Sequence, residues 1–137
     1  MLLSNKVGIT STVIVRRSGL DKTGFFDPTL PAREEYELWI RLSQIGKLVS
    51  VNEPLLDYFI HPSRQQISAN IDKFITANNL IHEKYRSEYS RFDLNDLSRL
   101  KADNYFQYST IAINNKRKLL ALKYIYKSIL KKLKTDK

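Results

Sequence analysis

Glu35 is the residue of this sequence whose surroundings most clearly suggest chemistry. It opens a stretch that becomes apolar at helical spacing, through Leu38, Trp39, Leu42 and Ile45. In a helix over 34–45, Glu35 would lie on the inward-facing side, one turn before the tryptophan. A carboxylate held by a rigid helix at a cleft can accept a proton from a hydroxyl nucleophile. The structural alternative stays open: an acidic first turn stabilises the helix dipole by roughly 0.3–1 kcal/mol.

The same helix contains a predicted ion pair and a predicted end. Glu37 and Arg41 stand four residues apart, which predicts pairing on the outer face of the helix, away from the apolar side. Gly46 follows the last apolar position, where a left-handed residue commonly ends a helix.

Composition limits the class of protein. With 137 residues and 42% hydrophobic content, the chain can bury one ordinary core or two small ones. The absence of cysteine excludes disulfides, thiolate metal sites and a cysteine nucleophile. No apolar run approaches the ~18 residues of a membrane span, so we expect a soluble, cytoplasmic chain. The four glycines are too scattered for a phosphate-binding loop.

The basic character is concentrated at the C-terminus. Residues 116–137 hold nine basic groups and one acidic group, whereas basic and acidic groups nearly balance in the rest of the chain of net charge +9. A segment of this kind is attracted to anionic surfaces such as lipid headgroups or nucleic acid. The alternative is a solvated helix face.

The first half of the chain predicts short strands. β-Branched and apolar runs over 7–15, 47–51 and 55–60 favour extended structure, and a short helical turn is predicted over 18–22. After Ser68 long helical patterns replace these runs, which predicts a boundary near residue 68.

The second half predicts a helical hairpin. Helical spacing covers 70–90 and 94–114, with Asp93 or Asn95 available as the cap between them. A third helix follows Asn114-Asn115-Lys116, and it is expected to pair with the second. Its apolar seam consists of Leu119, Leu122, Tyr126, Ile129 and Leu133. We expect this seam to pack on the preceding helix, near Tyr105, Tyr108 and Ala112.

Several motifs in residues 7–68 occur in the order found in a known family. They are the first strand with Arg-Arg, then Gly-Phe-Phe-Asp, Glu-Glu-Tyr-Glu-Leu-Trp-Ile-Arg-Leu, Gly-Lys-Leu-Val and Glu-Pro-Leu-Leu-Asp-Tyr-Phe-Ile-His. This succession resembles the C-terminal, acceptor-side half of a family 2 glycosyltransferase with the GT-A fold. The resemblance implies an α/β fold for 1–68, with short mixed-sheet strands and one amphipathic helix. Residues 69–137 would add a helical hairpin or bundle.

The resemblance also implies roles for individual residues. The family usually has Glu-Asp at the position of Glu34-Glu35, and its second acidic residue is the base that deprotonates the acceptor hydroxyl. Glu35 takes that position with one extra methylene, which makes Glu34 the second catalytic candidate. His61 is the candidate metal ligand or diphosphate contact. Arg64 and Trp39 are further candidates for contacting the acceptor or the diphosphate.

The family binds its nucleotide-sugar donor in an N-terminal half that ends in an Asp-x-Asp motif. No Asp-x-Asp occurs here, so we expect the chain alone to be inactive and to bind no cofactor. In the complete enzyme, a divalent Mg²⁺ or Mn²⁺ would neutralise the leaving diphosphate. The acceptor would be a sugar or a lipid-linked sugar, in polysaccharide or glycoconjugate synthesis at the inner membrane face. The strand over 7–15 would lack its sheet neighbours, which predicts self-association or marginal stability.

A second function class remains open beside this one. The chain could be a non-catalytic, basic helical module that binds a protein, a membrane or nucleic acid. Nucleic acid is disfavoured because the tyrosines at 105, 108, 124 and 126 have the spacing of core residues.

Overall fold

A computed structural model describes residues 1–57 and 70–133. Within these ranges the chain forms six helices. They are α1 (Arg17–Thr23), α2 (Glu34–Ile45), α3 (Ile71–Lys84), α4 (Arg86–Tyr89), α5 (Leu94–Asn114) and α6 (Lys118–Lys132). A short 3₁₀ turn covers Thr10–Thr12. The chain divides into two compact units, Met1–Gln65 and Gln66–Lys137.

The first unit is built on α2. Five consecutive residues of this helix, Tyr36 to Ile40, are buried, so the helix is covered on every side at this point. α1 packs against α2. Gly19 allows the close approach, because a Cβ added there would lie only 3.3 Å from Leu42 Cδ2. The predicted apolar side of α2 is correct at Leu38 and Trp39 and wrong at Ile45, which is 51% exposed.

The predicted α/β fold with a mixed sheet is wrong, because the described residues contain no strand. In the predicted first strand, a 3₁₀ turn is followed by Val13 with φ −120° and ψ 132°, and Ile14 is fully exposed. The segment 47–51 has no regular structure, and Val49 is 91% exposed. The third predicted strand is absent over 55–57, and its remaining residues lie outside the described ranges.

The error has a physical cause. β-Branched side chains favour an extended backbone, and Val13 adopts one. A strand also requires a neighbouring main chain that pairs its N–H and C=O groups, and its own sequence does not supply that neighbour. Among the described residues no segment pairs with these runs in a ladder.

The second unit contains α3 to α6. Asn70 caps α3, and its side chain accepts hydrogen bonds from the amides of Asp72 and Lys73, at 3.1 Å each. Asp93 caps α5 by accepting from the amide of Asp96 at 2.7 Å, which confirms the first of the two predicted caps. The helix predicted over 70–90 is interrupted at Tyr85, where α3 ends and α4 begins.

Helices α5 and α6 form the predicted helical hairpin. Small residues are buried on both helices, Ala102 and Ala112 on α5 and Ala121 and Ser128 on α6. Ser128 Oγ donates a hydrogen bond to the carbonyl of Ala102 at 2.9 Å. Rings of Tyr105, Tyr108 and Tyr124 contact one another at one edge of this interface, with centroids 5.4–6.2 Å apart.

The predicted packing of the α6 seam on α5 is wrong. Leu119, Leu122, Tyr126, Ile129 and Leu133 are each at least 50% exposed. The contact uses the other side of α6, where Ala121 and Ser128 allow the two backbones to approach closely. The sequence pattern is set by the large apolar residues of α6, whereas its contact with α5 is made on the side that has the small residues. None of the described helices is both long enough and apolar enough to cross a bilayer.

Candidate functional site

The first turn of α2 holds the candidate catalytic residues. Arg33 precedes the helix in the left-handed conformation, with φ 61° and ψ 23°, which is uncommon for a residue other than glycine. Its guanidinium lies 4.3 Å from the centroid of the Tyr36 ring. No side chain caps the helix, and three glutamates, Glu34, Glu35 and Glu37, lie in its first turn. The turn therefore concentrates negative charge at the positive end of the helix dipole.

Glu35 is partly buried in this turn. Burial raises the pKa of its carboxyl above the ordinary value of a glutamate, and the hydrogen bond with its own backbone amide acts in the opposite direction. The charge of Glu34 raises the pKa of Glu35 further, while Arg33 lowers it. A carboxylate with a raised pKa accepts a proton more readily than an ordinary one, which is the property a general base needs near neutral pH.

Glu37 has a different environment from the one predicted. The predicted ion pair with Arg41 is present, but the outer face assigned to it is wrong, because Glu37 is 0% exposed. Arg41 Nε donates to both carboxylate oxygens, at 3.0 and 2.9 Å, and Arg41 Nη2 donates to Oε2 at 2.8 Å. The pair is a buried, charge-assisted one with fork geometry.

Arg41 also joins α2 to the turn that follows α1. Its Nη1 donates to the carbonyls of Thr23 and Gly24, and its Nη2 donates to the carbonyl of Phe25 at 2.6 Å. Gly24 has φ 78°, a conformation that glycine adopts without strain. We call this set of contacts, from Glu37 through Arg41 to the carbonyls of residues 23–25, the Arg41 clamp. The four-residue spacing signalled the ion pair, but nothing in the sequence signalled the carbonyl contacts.

Two aromatic side chains tie the N-terminal segment to the same helix. The Tyr36 hydroxyl lies 2.9 Å from the carbonyl oxygens of both Met1 and Leu2. Trp39 Nε1 donates to the carbonyl of Gly8 at 3.2 Å, and the side chain is 2% exposed. The Trp39 ring is therefore part of the core of the first unit, and its indole N–H is hydrogen-bonded to the main chain. The predicted contact of Trp39 with acceptor or diphosphate stays a prediction.

The end of α2 differs in conformation from the one that the sequence predicts. Gly46 ends α2, but the predicted left-handed conformation is wrong, since its backbone is extended with φ −151°.

His61 and Arg64 lie outside the described residues. Within residues 1–57 and 70–133, no group of three or more acidic, histidine or cysteine side chains could hold a metal ion. The divalent ion implied by the resemblance thus has no ligand set in the part of the chain described.

The remaining histidine has a structural environment. His82 is exposed on α3 and stacks on Tyr89, with ring centroids 4.6 Å apart and planes 14° from parallel. The first turn of α2 itself holds the carboxylates of Glu34 and Glu35. No family model, no curated protein and no solved structure matches this chain.

Proposed function

We propose that this chain provides the acceptor-activating base of a glycosyltransferase and that Glu35 is that base. The observation that carries the proposal is a partly buried carboxylate with a raised pKa in the first turn of a helix that is fixed in place. The order of the sequence motifs around this turn supports the same chemistry. The proposal concerns the reaction and makes no claim to a mixed sheet.

In the proposed reaction Glu35 takes the proton of an acceptor hydroxyl. The hydroxyl oxygen attacks the anomeric carbon of a nucleotide-sugar, the new glycosidic bond forms, and the bond to the nucleoside diphosphate breaks. The diphosphate leaves with the bonding electron pair, and the proton stays on Glu35 until solvent removes it. Two described residues act in this scheme, since Glu35 holds the proton and Glu34 helps to keep the pKa of Glu35 raised.

The Arg41 clamp supports the proposal because catalysis is sensitive to small displacements. A shift of ~1 Å in a reacting group can cost about 100-fold in rate. Three carbonyls and one carboxylate fix Arg41, and through it they fix the helix that holds Glu35. A carboxylate on such a helix keeps its position better than one on a free loop.

The test is a transfer assay with the complete transferase that contains this sequence, using labelled nucleotide-sugars, Mn²⁺ and membrane acceptor. Glu35→Gln should keep donor binding and lower kcat by roughly 10²–10⁴-fold, because the amide accepts no proton. Glu35→Asp keeps a carboxylate and should be tolerated, with a much smaller loss of kcat than Glu35→Gln, although the group moves by about a bond length. Glu53→Gln, at an exposed glutamate, is the matched control and should behave as wild type.

Two results would contradict this assignment. Loss of activity in Glu34→Gln with a nearly normal Glu35→Gln enzyme would move the base by one position. Normal activity in both variants would leave the two carboxylates as helix-start residues only. The isolated 137-residue chain, incubated with the same donors, is expected to give no transfer.

A further inference from the structure

Helix α6 has an exposed apolar stripe on the side that faces away from α5. The stripe is the apolar seam described above, Leu119, Leu122, Tyr126, Ile129 and Leu133, and each of these residues is at least 50% exposed. The spacing of three and four residues places them on one side of the helix over about 20 Å. Since soluble helices normally turn such a side towards the core, a continuous exposed stripe marks an interaction surface.

The hairpin leaves this stripe free because it uses the opposite side of α6. Ala121 and Ser128 are buried against α5, and Ser128 Oγ is held by its hydrogen bond to Ala102. Tyr124 stacks on Tyr105 at a centroid distance of 6.1 Å. The hairpin is therefore complete without the stripe, and the stripe can contact another surface while the fold is kept.

Lysines border the stripe on both sides. With about 100° of rotation per residue, Lys118 lies along one border and Lys123 lies along the other. Lys127 is further round the helix, and its Nζ lies 5.5 Å from the Tyr105 ring centroid, on the side of the hairpin. Helix α6 contains no acidic residue, and Lys116 and Arg117 precede it. An apolar surface bordered by positively charged side chains is complementary to a surface that is anionic and partly apolar.

We propose that α6 binds in the plane of a bilayer containing anionic lipids, with the apolar stripe inserted at the boundary between headgroups and acyl chains. The bordering lysines would then lie at the level of the lipid phosphates. This proposal uses only residues of the second unit and is independent of the function proposed for Glu35.

Two other occupants fit the surface less well. A second copy of α6 would bring two sets of lysines together with no acidic residue on either helix to compensate them. Nucleic acid would satisfy the lysines but leave the leucines and isoleucine of the stripe without an apolar partner. Of the tyrosines in this region, Tyr105 and Tyr124 already stack on each other. An anionic bilayer satisfies both the charge and the apolar area.

The first experiment measures co-sedimentation of the full chain with phosphatidylcholine vesicles that contain or lack phosphatidylglycerol, at low and high salt. Binding should require phosphatidylglycerol and weaken at high salt. The double variant Lys118→Gln, Lys123→Gln should reduce the partition coefficient about 25-fold, from about fivefold per lysine. The matched control is Lys73→Gln, Lys101→Gln, which removes the same charge from exposed positions on α3 and α5 and should partition as wild type.

The second experiment separates insertion from surface adsorption. The triple variant Leu119→Gln, Leu122→Gln, Ile129→Gln should bind at least about tenfold more weakly, because it removes apolar contact with the acyl region. Leu94→Gln, at an exposed leucine at the start of α5, is the control. All four positions are exposed, so far-UV circular dichroism should be unchanged.

Because the chain has no cysteine, a single introduced cysteine can report the local environment. A polarity-sensitive dye on Leu122→Cys should shift to shorter wavelength with phosphatidylglycerol vesicles, whereas the same dye on Thr110→Cys, exposed on α5, should not. Four results would overturn the proposal. They are no binding at low salt, binding without the dye shift, vesicle-independent dimers that the triple variant dissociates, and binding to duplex DNA in place of vesicles.

Discussion

Glu35 combines partial burial with a charged side chain, and that combination has a measurable consequence for stability. The raised pKa means that the folded protein holds the proton of Glu35 more tightly than the unfolded chain does. At acid pH, below the unfolded-state pKa, the carboxyl is protonated in both states and this stabilising contribution is fully present. As pH rises through the folded-state pKa the contribution is lost, because the ionised carboxylate is less well solvated in the folded state.

We therefore expect the stability difference between Glu35→Gln and wild type to depend on pH. The glutamine variant should gain stability relative to wild type as pH rises from below ~4 to 7, since it carries no carboxylate to desolvate. Urea denaturation of both proteins across this range measures the difference. Glu53→Gln, at an exposed position, should show no such trend. If Glu35→Gln instead lost stability relative to wild type as pH rose, the folded protein would stabilise the ionised form of Glu35.

At the scale of elements, the Arg41 clamp determines how α2 is held beside the turn after α1. Glu37 is fully buried and Arg41 is largely so, with 17% of its side chain exposed. A second arginine pair of the same spacing, Arg17 with Asp21, has an N–O distance of 2.8 Å but is 76% and 54% exposed. The two pairs thus share a separation of four residues but differ in burial and in the number of hydrogen bonds that the arginine donates.

This contrast predicts very different costs for breaking the two pairs. Glu37→Gln should destabilise the first unit by about 3 kcal/mol, because it leaves the buried Arg41 guanidinium without a counter-charge. Asp21→Asn breaks the exposed pair and should cost less than about 0.5 kcal/mol. Chemical denaturation followed by Trp39 fluorescence measures both. Equal costs would show that the clamp contributes no more than a surface ion pair.

The sequence predicts helical elements well and their surroundings poorly. Local signals were sufficient for the bounds of α2 and α5 and for the Asp93 cap, since caps and periodicity depend on residues within one or two turns. The contacts of Arg41 beyond its pair with Glu37 could not be predicted this way, because they involve the carbonyls of residues 23–25, which are distant in sequence. The strands predicted over 7–15 and 47–51 are wrong for the same reason, because pairing depends on a distant partner. The strand predicted over 55–60 is absent at 55–57, and its other residues lie outside the described ranges.

The exposed seam of α6 shows a different limit of sequence patterns. Two stripes exist on this helix, one of large apolar residues and one built around Ala121 and Ser128. Hydrophobic periodicity favours the first as the packing face, while close approach of two backbones requires the second. Only the shape of α5, with Ala102 and Ala112 on its contact face, decides between them.

At the scale of the whole molecule, the chain divides into two compact units. The single tryptophan, Trp39, is buried and belongs to the first unit, so its fluorescence reports the unfolding of that unit. The far-UV circular dichroism signal comes mainly from the second unit, because α3, α5 and α6 are longer than α1 and α2. The two signals therefore follow the unfolding of different parts of one chain.

We expect a core substitution in one unit to leave the unfolding of the other unchanged. Ala102 is 0% exposed between α5 and α6, so Ala102→Leu should overpack the hairpin and cost about 1–3 kcal/mol. That cost should shift the dichroism transition in urea and leave the Trp39 transition in place, while Glu37→Gln should do the reverse. Lys101→Leu, at the exposed neighbouring position, should move neither transition. If both signals moved together in every variant, the two units would unfold as one cooperative structure.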